Sequence, residues 1–472
     1  MMSNPKHLNP LAVVFNVFKS FKNAFYFIVT FSVLAISDGF FKYVLLGILG
    51  LAVLFIILGI ISWRHFTYEV TPDQIHIKHG IFIRKDRYIS RNRIQSIDLT
   101  QGIIHRPFGL TKVEIETAGN DRDVDANLSA VRYNEGIRIQ EMLKENRNLA
   151  TEEKVAQEPE YPKRTVNNRD LLIAGATSGS IGVIIGLFGL VFSQIENLIP
   201  DHVYDVTTRW LLAQALESLV IFALMIAIIL WGLGILGSLI KYGKFQIIRY
   251  EKELFITRGL LEKKQMTIPL KRIQAVGIEE NFIRQPFGLA TIYVVIAGGE
   301  IGTTADAHTL LFPVIRKRKV EEFLNDILPE YNQVPHHYKR VPVRALPYYL
   351  VRSLLIPIIL LILAFIFTPT IWIYLTVLFL LFLTLGYARY RTAGYHVDDQ
   401  FLTVRFRVFN KETILIPKKR IQAIEVIHHF LHRKQELASF KVSILSKQSG
   451  RQIWIKELEQ QDNDYLIKWL ER

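Results

Sequence analysis

Two histidines near the C-terminus have the spacing in this chain that comes closest to a metal site. His428 and His432 are four residues apart, so a helix would place both imidazoles on one face, as in helical zinc sites. No acidic residue or third histidine follows at a useful spacing, and the corresponding stretches elsewhere in the chain favour a strand or a turn. We therefore expect no metal ion here, and the absence of cysteine excludes a thiolate site.

The tripeptide Arg-Ile-Gln recurs three times and could place a cation and an amide at a binding edge. Its candidate residues are Arg93 and Gln95, Arg272 and Gln274, and Arg420 and Gln422. One interpretation is a basic edge that binds anionic lipid headgroups or a partner. The alternative is structural, with the arginine and glutamine tying a neighbouring loop to a strand. Because the tripeptide occurs in three places, we favour the structural role.

A stripe of glycines and one acidic residue stand out in the middle of the chain. Glycines separated by steps of four and three would share one helix face, at Gly175, Gly179, Gly182, Gly186 and Gly189. Small residues in this pattern let helices approach closely in lipid, as a gate, a dimer seam or, as we favour, a packing groove for the next helix of the same hairpin. Gly232, Gly234 and Gly237 could supply part of the facing surface. Glu217 is the one acid inside an apolar run, and we place it at the outer membrane interface.

Residues for catalysis are not apparent in the sequence. It contains no recognisable Ser-His-Asp set, no glycine-rich loop for phosphate and no motif of paired carboxylates. Acidic residues are scattered along polar faces instead. We therefore predict a protein without enzymatic activity and without a cofactor.

A repeated stretch of 27 residues organises the chain. Residues 93–119 and 272–298 align without a gap and are identical at ten positions, including a Pro-Phe-Gly-Leu turn. A weaker third copy begins at Arg420, where Lys434 to Glu436 replace Pro-Phe-Gly. Proline restricts φ and glycine tolerates positive φ, so we interpret the turn as structural. Repetition at a fixed offset predicts tandem units of one fold.

Six apolar runs accompany the repeats. They lie near residues 24–36, 43–62, 171–192, 211–240, 348–367 and 371–388. A helix needs ~20 apolar residues to cross a bilayer, and the shorter runs reach that length with their flanking residues. They predict six transmembrane helices in three hairpins. Since no small-residue cleavage site follows the basic N-terminus, we expect the first span to remain as an anchor.

Between the hairpins, the pattern predicts strands closed by helices. Ile75 and Ile77 alternate with polar neighbours, as half-buried strands do. Val320, Phe323 and Ile327 lie on one face of a closing helix. We predict an N-terminal lead with hairpin 1 at 1–62, domain 1 at 63–160, a linker with hairpin 2 at 161–240, domain 2 at 241–335, a linker with hairpin 3 at 336–388, and domain 3 at 389–472.

Positive charge is concentrated beside the predicted spans. The formal net charge is +14, and the short loops on the other side of the spans hold only Lys42 and Arg209. The positive-inside rule then places both termini and all three domains in the cytoplasm. Because anionic lipid explains this charge, we expect membrane lipids as partners and no nucleic acid.

The residues resemble a known family. A hairpin followed by a β-rich unit with Arg-Ile-Gln-[Ser/Ala]-[Ile/Val] and, about a dozen residues on, Pro-Phe-Gly-Leu-[Thr/Ala] is similar to the membrane-flanked bacterial pleckstrin-homology-like domain family, and most like its three-copy members. The resemblance implies an α+β, multi-pass membrane protein of the bacterial inner membrane. Each hairpin would be followed by a cytoplasmic PH-like β-sandwich or barrel with a C-terminal helix. It also implies a shorter, single-unit companion protein, no established enzymatic activity, and no phosphoinositide site that could be carried over.

Three functions follow as hypotheses. The first is a non-enzymatic scaffold whose domains bind partner proteins, most plausibly the companion membrane protein, in an envelope-related process; a homo-oligomer is also possible. The second is a transport or export component gated by the domains, motivated by Glu217 and the glycine stripe. The third is a sensor of anionic lipid.

Overall fold

A computed structural model describes most of the chain in two compact units. The described residues are 5–37, 41–81, 83–117, 126–143, 161–177, 225–226, 228–297, 309–367, 372–445 and 451–471. Unit 1 consists of Met1–Glu160, Lys252–Thr257 and Leu261–Pro269, and unit 2 of Tyr161–Glu251, Arg258–Leu260 and Leu270–Arg472. Two segments of unit 1, Lys252–Thr257 and Leu261–Pro269, thus belong to the stretch predicted as domain 2.

Unit 1 contains two β-sheets. Its strands, numbered in chain order, are β1 (Lys6–His7), β2 (Thr67–Val70), β3 (Gln74–His79), β4 (Lys85–Ser90), β5 (Ile94–Gln101), β6 (Leu110–Thr117), β7 (Ala126–Arg132), β10 (Glu253–Arg258) and β11 (Lys263–Pro269). One sheet has the order β1-β2-β3-β4, and in the other the strands that belong to unit 1 have the order β7-β6-β5-β11-β10. Ile75 and Ile77 of β3 are buried between more exposed neighbours, in agreement with the predicted alternation.

Unit 2 contains the remaining strands. They are β8 (Lys163–Thr165), β9 (Gln246–Arg249), β12 (Ile273–Glu280), β13 (Leu289–Ile296), β14 (Thr309–Arg316), β15 (Lys339–Arg340), β16 (Gly394–Val397), β17 (Phe401–Arg407), β18 (Lys411–Pro417), β19 (Ile421–Ile427), β20 (Leu437–Ile444) and β21 (Arg451–Glu459). A seven-stranded sheet has the order β14-β13-β12-β18-β17-β16-β15, and a three-stranded sheet the order β19-β20-β21. The larger sheet therefore joins strands of the second and third repeats.

The described helices fall into apolar hairpins and short capping helices. They are α1 (Ala12–Ser37), α2 (Phe41–His65), α3 (Tyr133–Leu143), α4 (Asn168–Ala176), α5 (Ile228–Tyr242), α6 (Val320–Ile327), α7 (Leu346–Phe367), α8 (Trp372–Thr392), α9 (Phe430–Arg433) and α10 (Gln460–Glu471). Helix α1 packs on α2 in unit 1, and α7 packs on α8 in unit 2. The apolar face predicted for α6 is buried.

Two segments of the described chain are long and apolar enough to cross a membrane, Leu45–His65 and Val343–Ala364. Only 6% and 22% of these segments are buried within the protein, and exposed apolar surface of this extent is typical of a contact with a membrane or another protein. The predicted spans in α1 and α8 do not meet the same criterion, and those at 171–192 and 211–240 lie mostly outside the described residues. The structure therefore does not establish six transmembrane helices.

Each unit has its own apolar core. In unit 1, the core includes Ile75, Ile97 and Val113 from the sheets and Ile139 from α3. In unit 2, one large cluster takes in side chains from both sheets together with Leu466 of α10. Helices α3 and α10 thus hold apolar side chains against the cores of their own units.

Candidate functional site

The Arg-Ile-Gln tripeptide occupies the same place in each repeat. A short 3-10 helix ends on its arginine in all three copies. A strand then begins at its isoleucine, which is Ile94 in β5, Ile273 in β12 and Ile421 in β19. The tripeptide therefore marks the entry of the chain into an equivalent strand in every repeat.

The second copy of the tripeptide is buried and donates hydrogen bonds to backbone carbonyls. The Nε of Arg272 donates a hydrogen bond to the carbonyl of Ala297 at 2.9 Å. The side-chain amide of Gln274 donates to the carbonyl of Arg272 at 3.0 Å. Both side chains are buried, so these bonds tie the residue after β13 to the start of β12. This supports the loop-tying interpretation for this copy.

The first and third copies are more exposed. Arg93 and Gln422 are exposed, and Gln95 is half-buried. The guanidinium of Arg420 donates to the carbonyl of Lys271 at 2.5 Å, which joins the third repeat to the turn that precedes β12. The six candidate residues therefore do not converge on one site.

Alanine substitutions should separate the buried copy from the exposed one. Arg272→Ala is expected to lower the free energy of unfolding by about 2–3 kcal/mol, because it leaves a buried carbonyl without this donor and creates a void. Arg93→Ala is the matched control, and its effect should stay within about 0.5 kcal/mol. Denaturant unfolding in detergent micelles measures both. Equal losses would show that burial does not distinguish the copies.

The turn after the first strand of each copy keeps its geometry even where its sequence changes. The residue after the turn has a positive φ in every repeat: +61° at Gly109, +61° at Gly288 and +54° at Glu436. Glycine adopts this conformation without strain, whereas a residue with a side chain pays about 1 kcal/mol or more. The third repeat therefore retains the turn although Pro-Phe-Gly is absent.

One position in this turn contacts a helix in each repeat. The equivalent residues are His105, Arg284 and His432. The His105 ring stacks on Phe15 of α1 with 3.8 Å between ring centroids. Arg284 donates to the carbonyl of Ala174 in α4 at 3.0 Å. The His432 ring lies edge-on to Tyr348 of α7 at 4.7 Å. Each β-rich part is thus fastened to a helix by a side chain from the same turn.

An exposed apolar pair precedes this position in every repeat. The pairs are Ile103-Ile104, Phe282-Ile283 and Phe430-Leu431, and their side chains are between 42% and 68% exposed. Three equivalent pairs beside the hairpin helices are more than scattered surface apolar residues, because they recur at one place in the fold.

A buried ion pair strengthens the attachment in the third repeat. Glu457 is fully buried, and its Oε1 accepts a hydrogen bond from the guanidinium of Arg352 in α7. The Nε2 of His432 lies 3.8 Å from the same carboxylate oxygen. The hydroxyl of Tyr349 donates to the carbonyl of Lys456 at 3.1 Å. Helix α7 and the β19-β20-β21 sheet are therefore held together by charge and by hydrogen bonds.

Of the two histidines with metal-like spacing, His432 is part of this attachment, whereas His428 is exposed. His432 lies in the one-turn helix α9, not in the strand or turn that we expected. Burial lowers the pKa of its imidazole below the usual value, and the nearby cations act in the same direction. The described residues contain no group of three or more His, Asp or Glu side chains placed to hold a metal ion.

Consecutive repeats share sheets at two junctions. In unit 1, β11 pairs antiparallel with β5, and the amide of Thr267 donates to the buried Asp98 carboxylate at 3.2 Å. Burial, together with Glu116, raises the pKa of Asp98 to about 7. In unit 2, β18 pairs antiparallel with β12, and Lys411 binds Glu280 at 2.7 Å across the junction.

Tyr293 reinforces the second junction. Gly277 leaves room for its ring, since a Cβ at that position would lie 2.0 Å from a ring atom. The Tyr293 hydroxyl donates to Glu412 of β18 at 2.8 Å, and Arg451 donates to the same carboxylate at 3.0 Å. The junction therefore contains a partly buried polar network in addition to the strand pairing.

A cavity of about 900 Å³ opens in unit 2 beside this junction. Its apolar wall includes Tyr331 and Phe401, whose rings are 5.6 Å apart. Its cationic residues are Lys271, Lys418, Lys419 and Arg420, and its acids are Glu330 and Asp399. Such a lining suits an anionic group attached to an apolar body.

Among the five glycines of the stripe, only the first, Gly175, lies within the described residues. A Cβ on Gly175 would lie 2.8 Å from the Cα of Ile235 in α5, so this glycine permits close helix packing, as the favoured interpretation requires. Gly232 and Gly237 have no atom within 4 Å of a Cβ, so the facing surface is formed by Ile235 and its neighbours instead. The other stripe glycines and Glu217 lie outside the described residues.

The turn position and the shared junctions were not identified from the sequence. The sequence contains a signal for the turn position, because an aromatic or aliphatic pair directly precedes His105, Arg284 and His432 in every copy. The junctions carry no such signal, since strand partners distant in sequence cannot be read from local periodicity.

The three β-rich parts, each attached to a helix, define a class of membrane-associated repeat protein. The model of the bacterial PH domain family matches residues 15–147, 203–331 and 343–472, and the chain belongs to this family. It therefore contains three PH-like domains. Over almost its whole length it is similar to the UPF0699 transmembrane protein YdbT of Bacillus subtilis (strain 168), with 35% identity over 495 residues that cover 99% of this chain and 98% of the relative. No solved structure matches the chain.

Proposed function

We propose that this chain is a non-enzymatic, multi-pass membrane scaffold whose PH-like domains bind partner proteins at the membrane surface. The observation that carries the proposal is the repeated attachment of each domain to a hairpin helix by the turn residues His105, Arg284 and His432. A domain fixed in this way presents its outer strands at a constant orientation to the membrane. In the described part of the chain, the polar clusters are ion pairs and hydrogen bonds within the fold, which supports a binding role over catalysis.

The proposed topology has six spans in three hairpins, with both termini and the three domains in the cytoplasm. The two apolar segments of the described chain support spans 2 and 5 directly. The excess of Lys and Arg on one side of the predicted spans supports the orientation. Comparison with a relative named as a transmembrane protein supports membrane localisation.

The proposed lipid contact is made by the exposed apolar pairs of the turns. Each pair lies beside a hairpin helix, so it would enter the interfacial region where amphipathic segments bury apolar side chains. The cationic lining of the cavity at Lys271 and Lys418 favours binding of an anionic amphiphile as a second function. Salt-sensitive binding to vesicles with anionic lipid would support this second function, whereas binding independent of salt and lipid charge would contradict it.

The proposed protein partner is a single-unit membrane protein of the same family, in an envelope-related process. Gating of transport receives no support from the described residues, because the one stripe glycine among them packs against α5.

In-cell crosslinking of the tagged, full-length protein followed by mass spectrometry tests the scaffold. We expect reproducible crosslinks from a domain to another membrane protein. An unrelated tagged membrane protein expressed at the same level is the control for capture by abundance. Recovery of no partner above this control would contradict the scaffold.

A further inference from the structure

The two junctions within the chain use the same strand register. In unit 1, Lys264 of β11 lies opposite Thr100 of β5. In unit 2, Glu412 of β18 lies opposite Glu279 of β12. Thr100 and Glu279 are both six residues after the isoleucine of Arg-Ile-Gln, and Lys264 and Glu412 are both four residues before the isoleucine that precedes proline. The chain therefore forms the same junction twice.

The first repeat contains β4, the counterpart of the junction strands β11 and β18. No described strand pairs with β4 on its outer side. Strand β4 ends in Ile89-Ser90, at the place where β11 and β18 end in Ile-Pro. It is the last strand of the sheet β1-β2-β3-β4, and no other described strand pairs with its outer edge. Tyr88 is 62% exposed, whereas Thr267 and Leu415 at the equivalent position are buried.

The third repeat contains β19, the counterpart of the junction strands β5 and β12. Among the described strands, none pairs with the outer edge of β19. Strand β19 follows the third Arg-Ile-Gln and is outermost in the sheet β19-β20-β21. Its residues are half-buried or exposed throughout, whereas β12 is buried at seven of eight positions. Ile427, the equivalent of Glu279, is 39% exposed. An open strand edge is a template for pairing with another chain.

We propose that β19 of one copy pairs with β4 of a second copy, so that the chain assembles head to tail through a third junction of the same register. This register places Glu425 opposite Arg87, and Ile424 opposite Tyr88. Opposite charges and an apolar-aromatic pair then meet across the strands, and both kinds of cross-strand pair are stabilising. The two open edges belong to one chain, which is why a second copy is the occupant that we choose.

The proposed contact is heterologous, because two different surfaces of the chain meet. Such contacts form rings when the rotation closes and open filaments when it does not. The inference deepens the proposed scaffold function by adding a second copy of the chain as a partner beside the single-unit membrane protein, and it rests on that function. Consecutive repeats already form this junction within one chain. The proposed junction between copies therefore repeats a contact that the fold already contains.

Cysteine crosslinking provides a direct test, because the natural chain has no cysteine. Two differently tagged full-length proteins, Arg87→Cys and Glu425→Cys, are expressed together, and their membranes are treated with a mild oxidant. Directly opposite residues in a sheet have the Cα separation that a disulfide requires. We expect a mixed disulfide dimer formed about tenfold more efficiently than in the out-of-register control, Arg87→Cys with Ile427→Cys. The pair Thr100→Cys and Lys264→Cys in one chain is the positive control, since the structure places these residues opposite each other.

A charge exchange tests the pairing without a covalent bond. Arg87→Glu and Glu425→Arg, each alone, should reduce co-purification of the two tags about five- to tenfold, because like charges would then face each other. The double variant with both changes should recover most of the association, which a folding defect would not do. Equal crosslinking in and out of register, or no recovery in the double variant, would overturn the proposal.

The outcomes separate this inference from the scaffold function. Crosslinking of Arg87→Cys to a different membrane protein, with no mixed dimer, would overturn pairing between copies and leave the scaffold intact. A head-to-tail dimer with no other partner would support the inference, and it would contradict the part of the proposed function that requires a companion protein.

Discussion

Replacing Arg352 by alanine is expected to lower the free energy of unfolding of the third repeat by about 3–5 kcal/mol. Its partner Glu457 is fully buried, so the substitution leaves a carboxylate in the interior without its cation. The reverse change, Glu457→Gln, should cost less, because the side chain of Arg352 is 40% exposed and can bind water. Thermal and denaturant unfolding in detergent micelles measure both effects.

Two further variants control this prediction. In the background of Arg352→Ala, Glu457→Gln should recover much of the loss, since a neutral amide is less costly to bury than an unpaired carboxylate. Arg344→Ala breaks the neighbouring pair with Glu459, which is partly exposed on both sides, and should cost no more than about 1 kcal/mol. If Arg352→Ala and Arg344→Ala lose equal stability, the buried ion pair contributes no more to stability than the exposed pair.

Asp98→Asn is expected to stabilise unit 1 at pH 8. The pKa of Asp98 is raised to about 7 in the folded protein, from an ordinary value of 3.8, mainly by burial. Between these values the folded state binds more protons than the unfolded state, so stability falls as pH rises through this window. The full loss corresponds to about 4 kcal/mol above pH 7. Asparagine keeps an oxygen to accept the hydrogen bond from Thr267 but carries no charge, so most of this loss should disappear.

The pH profile of the unfolding temperature tests the Asp98 prediction. The natural protein should lose stability between about pH 4 and pH 7, and the variant should lose less over the same range. Glu114→Gln is the comparison variant, because Glu114 lies opposite Asp98 on β6 but is paired with Lys112 at 2.5 Å and partly exposed. Glu114 contributes less than burial and Glu116 to the raised pKa of Asp98, so its substitution should flatten the profile only slightly. A profile for Asp98→Asn that falls as steeply as that of the natural protein would show that another group controls the slope.

Local patterns in the sequence were sufficient to predict many of the elements. The apolar spacing of Val320, Phe323 and Ile327 predicted a helix that the structure contains, with these residues buried. Positive φ at Gly109 was expected from its turn sequence. Positive φ at Glu436 was not, because there the backbone conformation is imposed by its surroundings and not by the residue.

The candidate site was predictable only in part, because burial differs among equivalent residues. Arg272 and Arg93 stand in the same tripeptide, yet one is buried and the other exposed. Their difference arises from the strands and loops packed around them, which the local sequence does not encode. The junctions escaped prediction for a similar reason, since Asp98 and Thr267 are 169 residues apart in the chain.

The pairing of β5 with β11 has a consequence for the order in which the chain can fold. Gln101 and Lys263 are opposite each other, yet the whole predicted second hairpin lies between them in sequence. During synthesis, β5 in the second sheet of unit 1 keeps an unpaired edge until β11 has been made. Long-range pairing of this kind slows folding, because the loop must close before the contact forms. A break in the chain between residues 147 and 252, where a sequence-based boundary would be drawn, would leave the N-terminal fragment without two of its strands.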